Sequence, residues 1–335
     1  MTDLKSVLKK LLVVIVGLST LPTFSSQAVA KPKMKDSFGK DLKVYVMVGM
    51  HVDFYHSWRG DTPDDAGWGY DVKVIRSSIE KLNAATAKGL KAKAYWDFSA
   101  NNWTFGEFLP KHFPEMIPLF QTRDNIDEFV AGPFNNGLNS AGTKKEFLKA
   151  IEWTMSNPDG YGLKQLFKNV GTSYRPQEMY HASNQNRWLK EAGIENLILF
   201  YAACAFDTFS PFIAPLSWEE RLNPITMKTT ETDEPITVLP AMSTIDLVNY
   251  VSLENLMIDM RRRQMSGEIK RNVVIHLNMD ADALSWEPLV KSRTVQSLVP
   301  NTGGLQEIID SVNKYKWADF TTPKEYLAIE KPQKT

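Results

Sequence analysis

Cysteine is nearly absent: Cys204 stands alone in 335 residues, which excludes an intramolecular disulfide framework and any thiolate zinc cluster. Its flanks, YAACAFD, are those of a buried strand end, where a free thiol packs as a small apolar group. An excess of charge of either sign is missing too, with 39 Lys plus Arg against 39 Asp plus Glu. No net field draws a polyanion, and no RNA-recognition or helix-turn-helix signature is present, so nucleic acid is not an expected partner. Internal repeats and Gly/Ser linkers are lacking. Histidine is scarce, with five in the chain, so the places where it clusters carry information.

Long hydrophobic runs are also lacking. The amino-terminal apolar stretch, LLVVIVGL, is too short for a comfortable membrane span. Lys5, Lys9 and Lys10 precede it, and STLPTFSSQAVA follows with small residues at Ala28 and Ala30. That tripartite order reads as a secretory signal. We expect residues 1–30 to be removed and residues 31–330 to form one exported domain, periplasmic or extracellular, with no stable membrane insertion. The remaining composition, 43% hydrophobic and 23% charged, is that of a globular chain with enough apolar surface for a sizeable core.

Beyond residue 31 apolar strands alternate with amphipathic helices. Residues 44–50 are an unbroken apolar run, the pattern of a strand covered on both faces. Helical spacing of Val72, Ile75, Ile79 and Leu82, with Gly89 as a stop, predicts a helix over residues 71–89. A strand at LKAKAYW follows, then a helix over residues 107–120, a strand at DEFVAG, a helix over Lys144–Met155, a short segment TSYRPQE and a helix over residues 184–192. NLILFYAA, PITVLP and NVVIHLN are further strands, with a long helix over residues 244–263 between the last two. The polar stretch KTTETDEP reads as a surface loop. Strands alternating with helices over this length give an α/β fold, either a barrel or an open doubly wound sheet.

Polar residues fall where these strands run out. His51 and Asp53 follow the first strand, Trp96 and Asp97 the second, and Asn135 and Asn136 the third. Glu178 and His181 follow SYRPQ, Asp207 follows NLILFYAACAF, and His276, Asn278, Asp280 and Asp282 lie in or after NVVI. In parallel sheets the carboxyl ends of the strands converge on one mouth, where active sites form. Residues two apart on an extended backbone point the same way, so His51 and Asp53 are either a pair of metal ligands or a histidine held by an acid. Trp58, Trp68, Trp96, Trp103 and Tyr180 add aromatic walls of the kind that stack on sugar rings. Each of these residues also has a plainer role, as core, cap or turn.

Three stretches, HVDFYHSW, DEFVAGPFNNGLNSAGTKKEFLKAIEWTM and YRPQEMYHASNQNRWLKEAGIENL, are similar in order and spacing to the amino-terminal catalytic domain of glycoside hydrolase family 38, the α-mannosidases. The resemblance covers residues 43–201. It implies a seven-stranded (β/α)7 barrel, a retaining α-mannosidase, and one zinc ion on His51 and Asp53 with His276 standing in for a later histidine ligand. It also implies a carbohydrate substrate held by Trp58, Trp96, Asn135, Asn136, His181 and Asp207. Glu178 takes the nucleophile's place and Asp280 that of the acid/base. Two departures stand out: glutamate replaces the family's aspartate, and EMYHAS lacks its Pro-Phe-Gly. The chain is also much shorter than family members, which points to missing carboxyl-terminal domains or a partner chain. A catalytic glutamate followed by an aspartate on a later strand is instead similar to glycoside hydrolase family 57. Metal-dependent polysaccharide deacetylases are a third related group, and a non-catalytic carbohydrate-binding barrel is the alternative from another class.

Overall fold

The computed structural model describes residues 39–54, 69–201, 216–242, 247, 250–288 and 303–334. Residues 37–335 belong to one compact unit; the amino-terminal signal expected over residues 1–30 lies outside the described residues. Among those described, no helix is long and apolar enough to cross a membrane.

The expected α/β order is present. Strands β1 (Val44–Val52), β2 (Tyr95–Phe98), β3 (Glu128–Ala131), β4 (Val170–Tyr174), β5 (Asn196–Phe200), β6 (Ile225–Met227), β7 (Ile236–Ala241), β8 (Val273–Asp280), β9 (Ala318–Thr321) and β10 (Gln333–Lys334) form one sheet. Its order is β10-β6-β7-β5-β4-β3-β2-β1-β8, with β9 beside β1. All pairings are parallel except β6 with β7. At the end of β7, Met242 donates its backbone N–H to the His276 carbonyl at 2.9 Å and accepts from the Asn278 N–H at 2.8 Å. Those two bonds bring β7 to β8, at opposite ends of the run β7-β5-β4-β3-β2-β1-β8.

The period of two along each strand separates two faces. On the outer face, Val46, Val48, Met50 and Val52 of β1 pack with Trp96, Phe98, Ile275 and Leu277 under helices α1 (Gly69–Ala87), α2 (Leu253–Ser266) and α3 (Gly304–Asn313). Leu197, Leu199 and Val238 do the same under helix α4 (Lys144–Met155) through Phe147 and Ile151. The alternate residues, Met47, Tyr95, Val130, Ile198, Leu239 and Val274, form a separate apolar layer on the inner face, closed by Tyr326 of helix α5 (Pro323–Ile329).

Several boundaries differ from the sequence expectation. Strand β2 begins at Tyr95 rather than Leu90, because the N–H groups of Lys91 and Ala94 go to the side chains of Asn313 and Asp127 instead of a ladder. The helix expected over residues 107–120 is broken into a π-helical stretch at Asn102–Phe108 and short turns at Leu109–His112 and Met116–Gln121. Pro110, Pro114 and Pro118 account for the break, since proline lacks the N–H that a continuous helix needs. Helix α2 starts at Leu253, where the Ser252 hydroxyl accepts from the Asn255 N–H at 3.0 Å, and stops at Gly267 in the left-handed conformation. The KTTETDEP loop is not wholly at the surface: Asp233 is buried.

One buried ion pair fixes β2 to the helical layer. Arg123 and Asp127 are both inaccessible. The guanidinium donates to both oxygens of Asp127 at 3.0 and 2.7 Å, to the Ala92 carbonyl at 2.9 Å, to Asn83 at 3.2 Å and to Thr86 at 3.1 Å. All five of its N–H groups are thereby used.

Candidate functional site

Because the strands are parallel, their carboxyl ends share one side, and the register sets which residues meet there. His51 lies opposite Asp97 on β2 and Asp280 on β8. One layer deeper, Gly49 lies opposite Tyr95 and Asn278, and below that Met47 lies opposite His276. Glycine at position 49 is required by the close packing. A Cβ there would lie 2.2 Å from the Tyr95 hydroxyl and 2.5 Å from Nδ2 of Asn278.

The polar groups on this inner face form one continuous hydrogen-bonded chain. His276 Nδ1 donates to the Pro240 carbonyl at 3.1 Å, so its Nε2 accepts from the Tyr95 hydroxyl at 2.7 Å. The Tyr95 oxygen in turn accepts from Asn278 Nδ2 at 2.9 Å, and Asn278 Oδ1 faces Arg175 Nε at 3.4 Å. Arg175 Nη1 donates to His51 Nε2 at 2.9 Å. A guanidinium has no acceptor, so His51 Nε2 carries the lone pair and Nδ1–H donates to Asp97 Oδ1. Every member is buried. Burial lowers the His276 pKa to about 3, keeping the ring neutral. Burial, and then the nearby Asp97 carboxylate, raise Tyr95 well above the usual phenol range. His51 is therefore a histidine held by an acid, and the acid is Asp97 across the sheet rather than Asp53 along the strand.

Acids border this chain. Asp53 and Asp97 are buried, and Oδ2 of each has no hydrogen-bond partner. Asp282 is buried and Asp280 is half-buried at the end of β8. Glu178 is exposed, on the turn that leaves β4 after Arg175 and Pro176. Its backbone is left-handed at φ 51°, and Met179 beside it is left-handed at φ 58°. Two successive non-glycine residues in this region cost about 1–2 kcal/mol each, and such strain concentrates at functional turns. Gln177, buried, donates to the Glu178 carboxylate at 3.3 Å.

The site residues expected from sequence separate into groups. His51, Asp53 and Asp280 are at the carboxyl-end layer, and Glu178 projects from the turn at the same end of the sheet. His276 lies deeper, in the buried chain. Trp96 is corrected to a core residue: it points to the outer face, fully buried, against Phe120, with its indole N–H donating to Asp127 at 2.8 Å. His181 is half-buried and bonded through Nε2 to Asn186 Oδ1 at 2.6 Å, which anchors the loop before helix α6 (Asn186–Glu191). Asn135 and Asn136 are exposed on the loop after β3, Asn136 with φ 24°. Trp58 and Asp207 lie outside the described residues. Sequence reasoning passed over Tyr95 and Arg175. The first was legible from parity, since Tyr95 and Asp97 alternate with the apolar Trp96 and Phe98.

The zinc expected on His51, Asp53 and His276 does not fit these donors. Both ring nitrogens of His51 are engaged, Nδ1 by Asp97 and Nε2 by Arg175, and both nitrogens of His276 are engaged by Pro240 and Tyr95. A zinc–nitrogen bond needs the lone pair at about 2.0–2.1 Å. His276 is placed opposite Met47, a layer below Gly49 and two below His51. Among the described residues, no group of three or more His, Cys, Asp or Glu is arranged to hold a metal ion.

No family model and no curated protein matches the chain. Solved structures do. The fold is similar to 4-α-glucanotransferase from Thermococcus litoralis, with a TM-score of 0.61 and 19% identity over 88% of this chain and 41% of that one. A family 57 branching enzyme from Thermococcus kodakaraensis aligns with a TM-score of 0.54 and 8% identity, over 87% of this chain and 72% of that one. An α-amylase from Thermotoga maritima gives 0.51 and 8%, over 88% and 76%. The chain thus spans less than half the length of the glucanotransferase.

Proposed function

We propose that this protein is a retaining glycoside hydrolase or transglycosylase of the family 57 type, acting on α-glucans. The observation that carries the reading is Glu178. It is an exposed carboxylate on a strained turn at the carboxyl end of β4, at the same end of a parallel sheet as Asp280 at the end of β8. A retaining glycosidase needs two carboxyl groups flanking the scissile bond, about 5–5.5 Å apart when substrate is bound. Support also comes from the solved structures of similar fold, whose names refer to α-glucan chemistry. The seven-strand run joined through Met242 supports a (β/α)7 barrel around this mouth.

In this reading the Glu178 oxygen attacks the anomeric carbon while Asp280 gives its proton to the departing oxygen. The glycosidic bond breaks and a glycosyl ester forms on Glu178. Asp280, now a carboxylate, takes a proton from water or from a sugar hydroxyl, and that oxygen displaces Glu178. The α-mannosidase reading gives way, because it calls for a zinc ion at the lone pair that Arg175 engages. A metal-dependent deacetylase meets the same obstacle. An exported location, through cleavage after Ala30, remains part of the proposal.

The test is product analysis with maltooligosaccharides and aryl α-glucosides. Release or transfer of glucosyl units with retained α configuration supports the reading. Activity confined to aryl α-mannosides, or release of acetate from acetylated glycans, would replace it.

A further inference from the structure

We propose that the guanidinium of Arg175 is the resident cation of this site, filling the position beside His51 that a divalent metal would otherwise take. Three observations carry this, and they hold whichever reaction the site performs. First, the pocket is acidic and buried. Asp97 is fully buried, Asp53 nearly so, and an oxygen of each lacks a partner. Buried carboxylates of this kind need a compensating positive charge. Second, Arg175 is itself only 5% exposed. Its Nη1 lies 2.9 Å from the Nε2 lone pair of His51 and its Nε lies 3.9 Å from Asp97 Oδ1. Third, the direction of donation is fixed at both ends. Asp97 can only accept from His51 Nδ1, so Nε2 is the sole ring atom left for a metal, and Arg175 donates to it.

A zinc ion and a guanidinium N–H cannot use one lone pair together, and two cations in one buried pocket repel. The arginine has a further consequence for the chain. It is tethered to the end of β4, three residues before Glu178, so the charge that holds His51 and Asp97 also anchors the turn carrying the exposed acid. A metal ion would supply the charge without that tether.

The direct test uses the full chain, with histidine labelled with nitrogen-15 and followed by NMR as zinc chloride is added. The expected result is a His51 ring protonated at Nδ1 whose Nε2 signal does not respond to an equivalent of zinc, in protein that carries no stoichiometric metal by elemental analysis. A stoichiometric divalent metal lost in His51→Ala, or a His51 Nε2 signal that shifts to a metal-bound position on one equivalent of zinc, would overturn the proposal. A second arm uses Arg175→Ala. When that variant folds, methylguanidinium chloride should bind it saturably and raise its melting temperature, with no such effect on the wild type or with potassium chloride. A folded Arg175→Ala that ignores methylguanidinium would also refute the assignment, and a variant that does not fold leaves the zinc titration of the wild type as the deciding result.

Discussion

Two buried groups on the inner face tilt stability with pH in opposite directions over one window. His276 has its pKa lowered by burial from 6.5 to about 3. The unfolded chain therefore takes up a proton below 6.5 that the folded chain refuses, and the stability present above 6.5 is lost as pH falls toward 3. Glu128 is the first residue of β3, buried, with Oε2 accepting from the Lys324 N–H at 2.8 Å and Oε1 without a partner. Thr322, Lys324 and Glu325 are the groups that bear on it, and burial raises its pKa from 4.5 to about 7. Its sign is opposite. The folded chain keeps a proton that the unfolded chain has released, so stability present below 4.5 is lost as pH rises toward 7. Between about pH 5 and pH 6 each group contributes a slope of about 1.4 kcal/mol per pH unit, in opposite directions. Urea denaturation across that window should therefore give opposite changes in slope for the two single variants. Relative to wild type, His276→Gln should lose stability as pH rises, and Glu128→Gln should gain it. Parallel curves for wild type and both variants would refute the assignment of these two groups.

Other expected outcomes are independent of that one. Gly49→Ala places a methyl group against Tyr95 and Asn278 and should cost about 1–3 kcal/mol, read by chemical denaturation. Arg123→Met leaves Asp127 buried without its cation and should cost about 3–5 kcal/mol, whereas the double change Arg123→Met with Asp127→Leu should recover part of that loss. Glu178→Gly relaxes a left-handed residue and should be no less stable than wild type while losing turnover by orders of magnitude, which separates strain from chemistry in one variant.

Strand β1 was legible because the unbroken apolar run over residues 44–50 admits few other structures, but His51, expected just past its end, lies inside it, since β1 runs on to Val52. The side of the sheet on which each polar residue falls was harder. Trp96 and Asp97 are neighbours at one strand end, yet the period of two sends the indole to the helical layer and the carboxylate to the pocket. An error of one residue in register exchanges those roles. Arg175 was hidden for a different reason. In YRPQE it reads as a surface arginine before a proline, and only pairing of β4 with β3 and β5 turns it inward beneath His51. Long-range bonds such as Arg175 to His51, 124 residues apart, have no signature in local pattern. The continuous helix expected over residues 107–120 overlooked Pro110, Pro114 and Pro118, which break it, and strand β9 beside the first half of β1 was missed because ADFT is too short to show a period.

The most direct test of the proposed chemistry is mass spectrometry of the protein after incubation with a fluorinated α-glucosyl fluoride, which slows release of a glycosyl ester once it has formed. A retaining mechanism through Glu178 predicts one added fluoroglucosyl group, carried on the peptide that contains Glu178 and absent from Glu178→Gln. Rapid turnover of natural α-glucans by Glu178→Gln, or a label found on a peptide that lacks Glu178, would contradict it.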